Sequence, residues 1–151
     1  MNYVGKSVAR VDALSKVKGE AVFASDMSMP GQAYMKVLMA HRAHAVVRAV
    51  DTSRAEALDG VLLVLTARDV PSNEFGYYSY DQPVLCGSGP KPYTDRVRFV
   101  GDRVAAVVAE SEEIAARALE LIDVEYEDLP VVCDMEAALE PDAPLLHPEL
   151  G

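Results

Sequence analysis

His41 and His44 stand three residues apart in the stretch His41-Arg42-Ala43-His44, a spacing that on a helix turns two imidazoles toward one metal ion. A zinc site needs three or four convergent ligands, and no cysteine or carboxylate cluster accompanies the pair. The flanks read as strand and turn, so hydrogen-bonded turn histidines are expected instead. His147, between two prolines, is expected to be structural or exposed. Glu110, Glu112 and Glu113, and then Glu125, Glu127 and Asp128, are dense carboxylates. General acid–base work needs such a pair held in a pocket with separated pKa values. At a helix start and a strand end they are expected to face solvent. Phe75-Gly76-Tyr77-Tyr78-Ser79-Tyr80 collects rings that either line a pocket or interface, or anchor a long loop on its own core. Gly87-Ser88-Gly89-Pro90-Lys91 has the composition of a phosphate loop without the GxxxxGK[ST] order or a following helix. No Ser–His–Asp or Cys–His set is legible.

The elements that must position these residues belong to one domain, residues 1–151. A chain of this length buries roughly 68–70% of the surface it would expose unfolded. Half of the residues are apolar and a quarter charged, with a net charge of -10. That acidity argues against nucleic acid, because phosphate binding needs a surplus of Lys and Arg, and equally against an anionic membrane. No apolar run approaches the ~18–20 residues of a membrane helix. The opening residues lack the apolar core of a signal peptide. Cys86 and Cys133 form no CxxC pair and are expected to be reduced thiols in a cytoplasmic protein.

Along the chain, Ala21–Ser25, Gln32–Ala40 and Ala45–Val50 read as strands, the second largely buried. Asp51-Thr52-Ser53 offers caps for a short helix, Arg54–Leu58, stopped by Asp59-Gly60. Val61–Leu65 reads as a fully buried strand. Pro and Gly concentrate in Pro71–Thr94, a long excursion between two halves of the domain. Arg96–Val100 and Arg103–Ala109 follow as strands around a tight turn at Gly101-Asp102, and small Ala105-Ala106 call for a large close neighbour. Ser111 caps the main helix, with Glu112 and Glu113 in its first turn and Ile114, Ala115, Ala118, Leu119 and Ile122 on one stripe. Val124–Glu127 and Val131–Cys133 are strands, and Met135–Leu139 a last short helix. One main helix, short helices and mixed strands in one core predict an α+β sandwich. No GxGxxG follows a strand, so a Rossmann site has no support.

The run from Asp95 to Glu127 resembles a signature of the xanthine dehydrogenase / aldehyde oxidase family of molybdenum hydroxylases, in the first domain of the molybdenum subunit. The likeness runs through Gly5–Met27, with an R-x-D-A-x-x-K-V-x-G core at Arg10–Gly19. It continues through Met29–Ser53, Gly60–Pro71, Asp95–Ser111, Asp123–Leu139 and Pro144–Glu149. The chain departs from the family at Ala40-His41, where Ser-Pro is common. The resemblance implies the α/β hammerhead fold, a mixed sheet with one main helix. It implies a parent enzyme that hydroxylates a purine, an N-heterocycle or an aldehyde with oxygen from water. The implied cofactors are molybdenum–molybdopterin, with iron–sulfur clusters and FAD on partner subunits. The glutamate base and the pterin loops would lie downstream, so no catalytic, cofactor-binding or metal-binding residue is assigned in this chain.

The resemblance implies a structural domain that packs on downstream pterin-binding domains and is not expected to be catalytic itself. Cut from its neighbour, it should show an apolar patch, through which it can dimerise. Two rivals stand beside this reading. One is a free-standing interaction module derived from the same domain. The other is an unrelated small enzyme with a pocket near Tyr77 and Tyr80.

Overall fold

The computed structural model describes residues 3–89 and 91–150; Pro90 of the Gly87–Lys91 stretch and both chain ends lie outside the described residues. The chain divides into two compact units, residues 1–32 and 33–151.

The first unit is ordered by local bonds. Its helix, α1 (Ala13–Val17), starts where the Asp12 carboxylate receives Arg10 and Lys16, each at 2.6 Å. Gly19 leaves the helix at φ +73°, a left-handed conformation that glycine adopts without strain, and the Ser15 carbonyl then accepts from the Glu20 and Ala21 N–H groups. The R-x-D-A-x-x-K-V-x-G residues thus build one folded turn. Ala21–Ser25, expected as a strand, has no ladder; its end is a 3-10 turn, Ala24–Asp26, closed by the Asp26 carboxylate accepting from Phe23 N–H.

The second unit is α+β. Its strands are β1 (Tyr34–Met39), β2 (Ala45–Asp51), β3 (Val61–Leu65), β4 (Arg96–Val97), β5 (Arg103–Ala109) and β6 (Asp123–Asp128). They form two three-stranded sheets, β1-β5-β3 and β4-β2-β6, with every pairing antiparallel. The main helix, α3 (Glu112–Leu119), begins as expected: Ser111 Oγ accepts from Ile114 N–H. Ala115, Ala118 and Ile122 of its stripe share a core with Ala105, Val107 and Ala109 of β5. The close neighbour of Ala105 is therefore a helix face of alanines, which brings helix and sheet together without bulk. The opposite face of β5 sends Val104 into a second core with Val47, Val97, Ala40 and Cys86. β5 is buried on both faces and joins the two cores.

Shorter elements depart from expectation in instructive ways. The capping at the short helix α2 (Ser53–Glu56) comes from Asp51, whose carboxylate accepts from Ser53 N–H. β4 stops at Val97 because the next N–H, that of Arg98, goes to the Asp102 carboxylate at 2.7 Å. β3 is not fully buried: Leu62 and Leu63 are half exposed. Val131–Cys133 forms no strand, and the last helix is reduced to a 3-10 turn, Ala137–Leu139.

Candidate functional site

The Pro71–Thr94 loop is fastened at its base and open at its tip. Asn73, 1% exposed, donates its Nδ2 to the Leu85 carbonyl at 2.7 Å and accepts from Leu85 N–H at 2.9 Å. Cys86 N–H then reaches the Arg103 carbonyl of β5. The Arg103 guanidinium lies 4.7 Å from the Phe75 ring centroid, and the Phe75–Gln82 bridge closes the tip. Gly76 is required there: a Cβ would fall 1.5 Å from the Ser79 carbonyl oxygen. Of the four clustered rings, Phe75 is the anchor. Tyr77, Tyr78 and Tyr80 project into solvent, Tyr78 at 96% exposure, with Tyr77 and Tyr78 packed edge to face.

These tyrosines do not enclose a pocket. Tyr80 borders a shallow cavity of about 220 Å³ with Glu74, Gln82, Lys91 and Glu149, while Tyr77 lies outside it. A second cavity, of about 110 Å³, is bordered by Arg48, Thr52, Thr66, Arg68 and Ser88. Small-molecule sites run from about 300 to 1,000 Å³. Lys91 is taken by Glu74 and Arg48 by Glu127. A third cavity, of about 390 Å³, is bordered by Ser88, Gly89, Lys91, Pro92, Tyr93 and Asp95.

The other sequence-marked residues fall outside any common site. His44 is buried and hydrogen-bonded through Nδ1 to the Pro130 carbonyl at 2.7 Å, whereas His41 is exposed. Among the described residues no three His, Cys, Asp or Glu side chains converge as metal ligands. Glu110, Glu112, Glu113, Glu125, Glu127 and Asp128 are all exposed, Glu112 pairing with Lys36 and Asp128 with Arg42. Burial, aided by Asp102, pushes the Cys86 thiol up to about 12, so it is an unreactive core residue. Cys133 is free and exposed.

Sequence reasoning missed the tail latch. Arg98 has a side chain only 8% exposed; it donates to the Leu146 carbonyl at 2.8 Å and to Glu149 at 3.0 Å, holding residues 146–149 beside β4. Burial opposes the ionised Glu149. Its backbone hydrogen bond, His147 and Arg98 outweigh that and hold its carboxyl below the usual glutamate range. Nor did the sequence mark the exposed row across the first sheet, where Met35, Val108 and Leu63 are in register and the outer two are exposed.

The family of this fold is shown by comparison. The family described as "Aldehyde oxidase and xanthine dehydrogenase, a/b hammerhead domain" matches residues 18–130, and the chain belongs to it. Relatives include a probable xanthine dehydrogenase subunit of Bacillus subtilis (strain 168), 49% identical over 142 residues, which are 93% of this chain and 18% of that one. The "Nicotinate dehydrogenase large molybdopterin subunit" of Eubacterium barkeri is 39% identical over 145 residues, 95% of this chain and 32% of that one. Among solved structures, reconstituted CO dehydrogenase from Oligotropha carboxidovorans matches with a TM-score of 0.86 at 36% identity, over 97% of this chain and 18% of that chain. The α+β hammerhead expectation holds, and the chain spans less than a third of the length of these relatives. No helix among the described residues is long and apolar enough to cross a membrane.

Proposed function

We propose that residues 1–151 act as the structural N-terminal domain of the large, molybdopterin-binding subunit of a molybdenum hydroxylase. The observation that carries this is the agreement of sequence and fold, nearly end to end, with a small part of much longer oxidoreductase chains. The exposed apolar row at Met35 and Leu63 and the tyrosine tip are surfaces of the kind that large assemblies cover. In the whole enzyme the molybdenum–molybdopterin cofactor supplies the hydroxylation of a purine, an N-heterocycle or an aldehyde, with iron–sulfur clusters and FAD on partner subunits carrying electrons away. This chain's residues hold shape and placement: Asn73 and Arg103 fix the loop, and Arg98 fixes the tail. Two unpaired cysteines support a cytoplasmic setting.

The test is direct. The purified 151-residue chain, supplied with xanthine or an aldehyde and an artificial electron acceptor, should give no turnover and retain no molybdenum after reconstitution. Turnover above the protein-free rate would refute the structural role.

A further inference from the structure

Among the described residues, every hydrogen bond that ties the stretch after Pro130 to the earlier chain runs through one side chain, that of Arg98. Its guanidinium has three acceptors. Nε donates to the Leu146 carbonyl, and Nη2 donates to Glu149 and, at 3.3 Å, to the Tyr93 carbonyl. Leu146 and Glu149 belong to the tail, whereas Tyr93 belongs to the returning arm of the Pro71–Thr94 loop. The side chain is largely shielded from water, so these charge-assisted bonds are screened less than those of a surface pair. Arg98 is itself placed by its backbone, whose N–H goes to the buried Asp102 carboxylate.

The returning arm needs what Arg98 supplies. Tyr93 has φ +63°, a left-handed conformation that a residue with a Cβ enters at a cost. Two cations hold it: Arg98 through the bond to its carbonyl, and Arg96, whose guanidinium lies 5.0 Å from the ring centroid. Next to it, Thr94 Oγ1 donates to the Lys91 carbonyl, and the Thr94 carbonyl accepts from Gly87 N–H at 3.0 Å. Glu149 and Lys91 border the same cavity of about 220 Å³, so tail and returning arm face one space.

We propose that residues 143–150 are a releasable strap, with Arg98 as its catch, and that seating the strap fixes residues 91–94 of the loop. When the strap leaves, Arg98 loses two of its three acceptors, including the carboxylate that neutralises it. The guanidinium then turns toward water, and Tyr93 loses the bond that keeps its backbone left-handed. Every bond involved lies within the second unit, so this coupling does not rest on the function proposed above.

The test follows two protons of the full chain by NMR. The Gly87 amide reports on the returning arm, and the Arg98 Nε–H reports on the catch. Glu149→Lys puts a like charge beside Arg98 and should expel the strap. It should speed Gly87 amide exchange by at least about tenfold, with the Ala115 amide at the start of α3 changed by less than about twofold. Glu149→Gln, which keeps an acceptor for Arg98 without the charge, should fall between the parental chain and Glu149→Lys. Coupling is reciprocal, so Thr94→Val, which loosens the arm from within, should speed exchange of the Arg98 Nε–H as well. Gly87 exchange within about twofold of the parental chain in Glu149→Lys overturns the proposal. An equal rise at Gly87 and Ala115 is general loosening and overturns it too. An unmoved Arg98 Nε–H in Thr94→Val does the same.

Discussion

Replacing Asn73 by alanine removes two hydrogen bonds at once, both to the backbone of Leu85, in a place without access to water. The Leu85 carbonyl and N–H are then left buried without their partner. Each unsatisfied group costs about 1–3 kcal/mol, so the substitution should destabilise the fold by roughly 2–6 kcal/mol. That is a large share of the ~5–15 kcal/mol that holds an ordinary domain. For a domain of this size, about 2–4 °C per kcal/mol predicts a melting temperature lower by about 10 °C. Urea unfolding followed by circular dichroism measures the difference. Limited proteolysis should show faster cutting between residues 71 and 94, because the same bonds fasten the loop base. Asn73→Asp is the sharper control. It keeps an acceptor for Leu85 N–H but points a carboxylate oxygen at the Leu85 carbonyl, and should cost at least as much as alanine. A loss below about 0.5 kcal/mol for both variants would refute the claim that this clamp holds the loop.

Three further outcomes follow from the geometry. Gly60→Ala should cost roughly 1–3 kcal/mol in urea unfolding, because Gly60 sits at φ +86° and an added Cβ would fall 2.6 Å from Ile114 Cδ1; an unchanged midpoint would contradict this. At pH 8 the folded chain should release one equivalent of thiol to a disulfide reagent quickly, from Cys133, with Cys86 reacting only on unfolding; two fast equivalents would show that Cys86 is not sealed. Glu149 has a carboxyl held below its ordinary value of 4.5, so its contribution to stability is present above that value and lost as pH falls through the lower folded value. Glu149→Gln should therefore lower stability at pH 7 and flatten its decline below pH 4.5; an identical pH profile would remove the latch from the account.

The elements legible in the sequence were those whose local chemistry and tertiary packing agree. β5 and α3 were both visible: an apolar run bounded by Asp102 and Glu110, then a serine cap and a 3.6-residue stripe. Ala21–Ser25 and Val131–Cys133 have strand-like composition but no ladder partner, and a strand exists only where its backbone groups are paired. Val61–Leu65 misled for another reason. A run of five apolar residues reads the same whether both faces are buried or one face awaits a neighbour. The Asn73 clamp and the Arg98 latch had no periodic signal. Each is a single polar side chain whose partners lie 12 to 51 residues away, so only the fold brings them together. The carboxylates and histidines that suggested chemistry were scattered because each already has a structural or solvent-facing place.

The central claim is that this domain belongs to a large molybdenum subunit, and reading the coding DNA past the codon for residue 151 tests it most directly. The account predicts an open frame that continues for roughly the remaining four-fifths of a subunit, judged from the 18% of the Bacillus relative that this chain spans, with glycine-rich pterin loops and a late glutamate. A stop codon immediately after residue 151 would contradict it and leave a free-standing interaction module in its place.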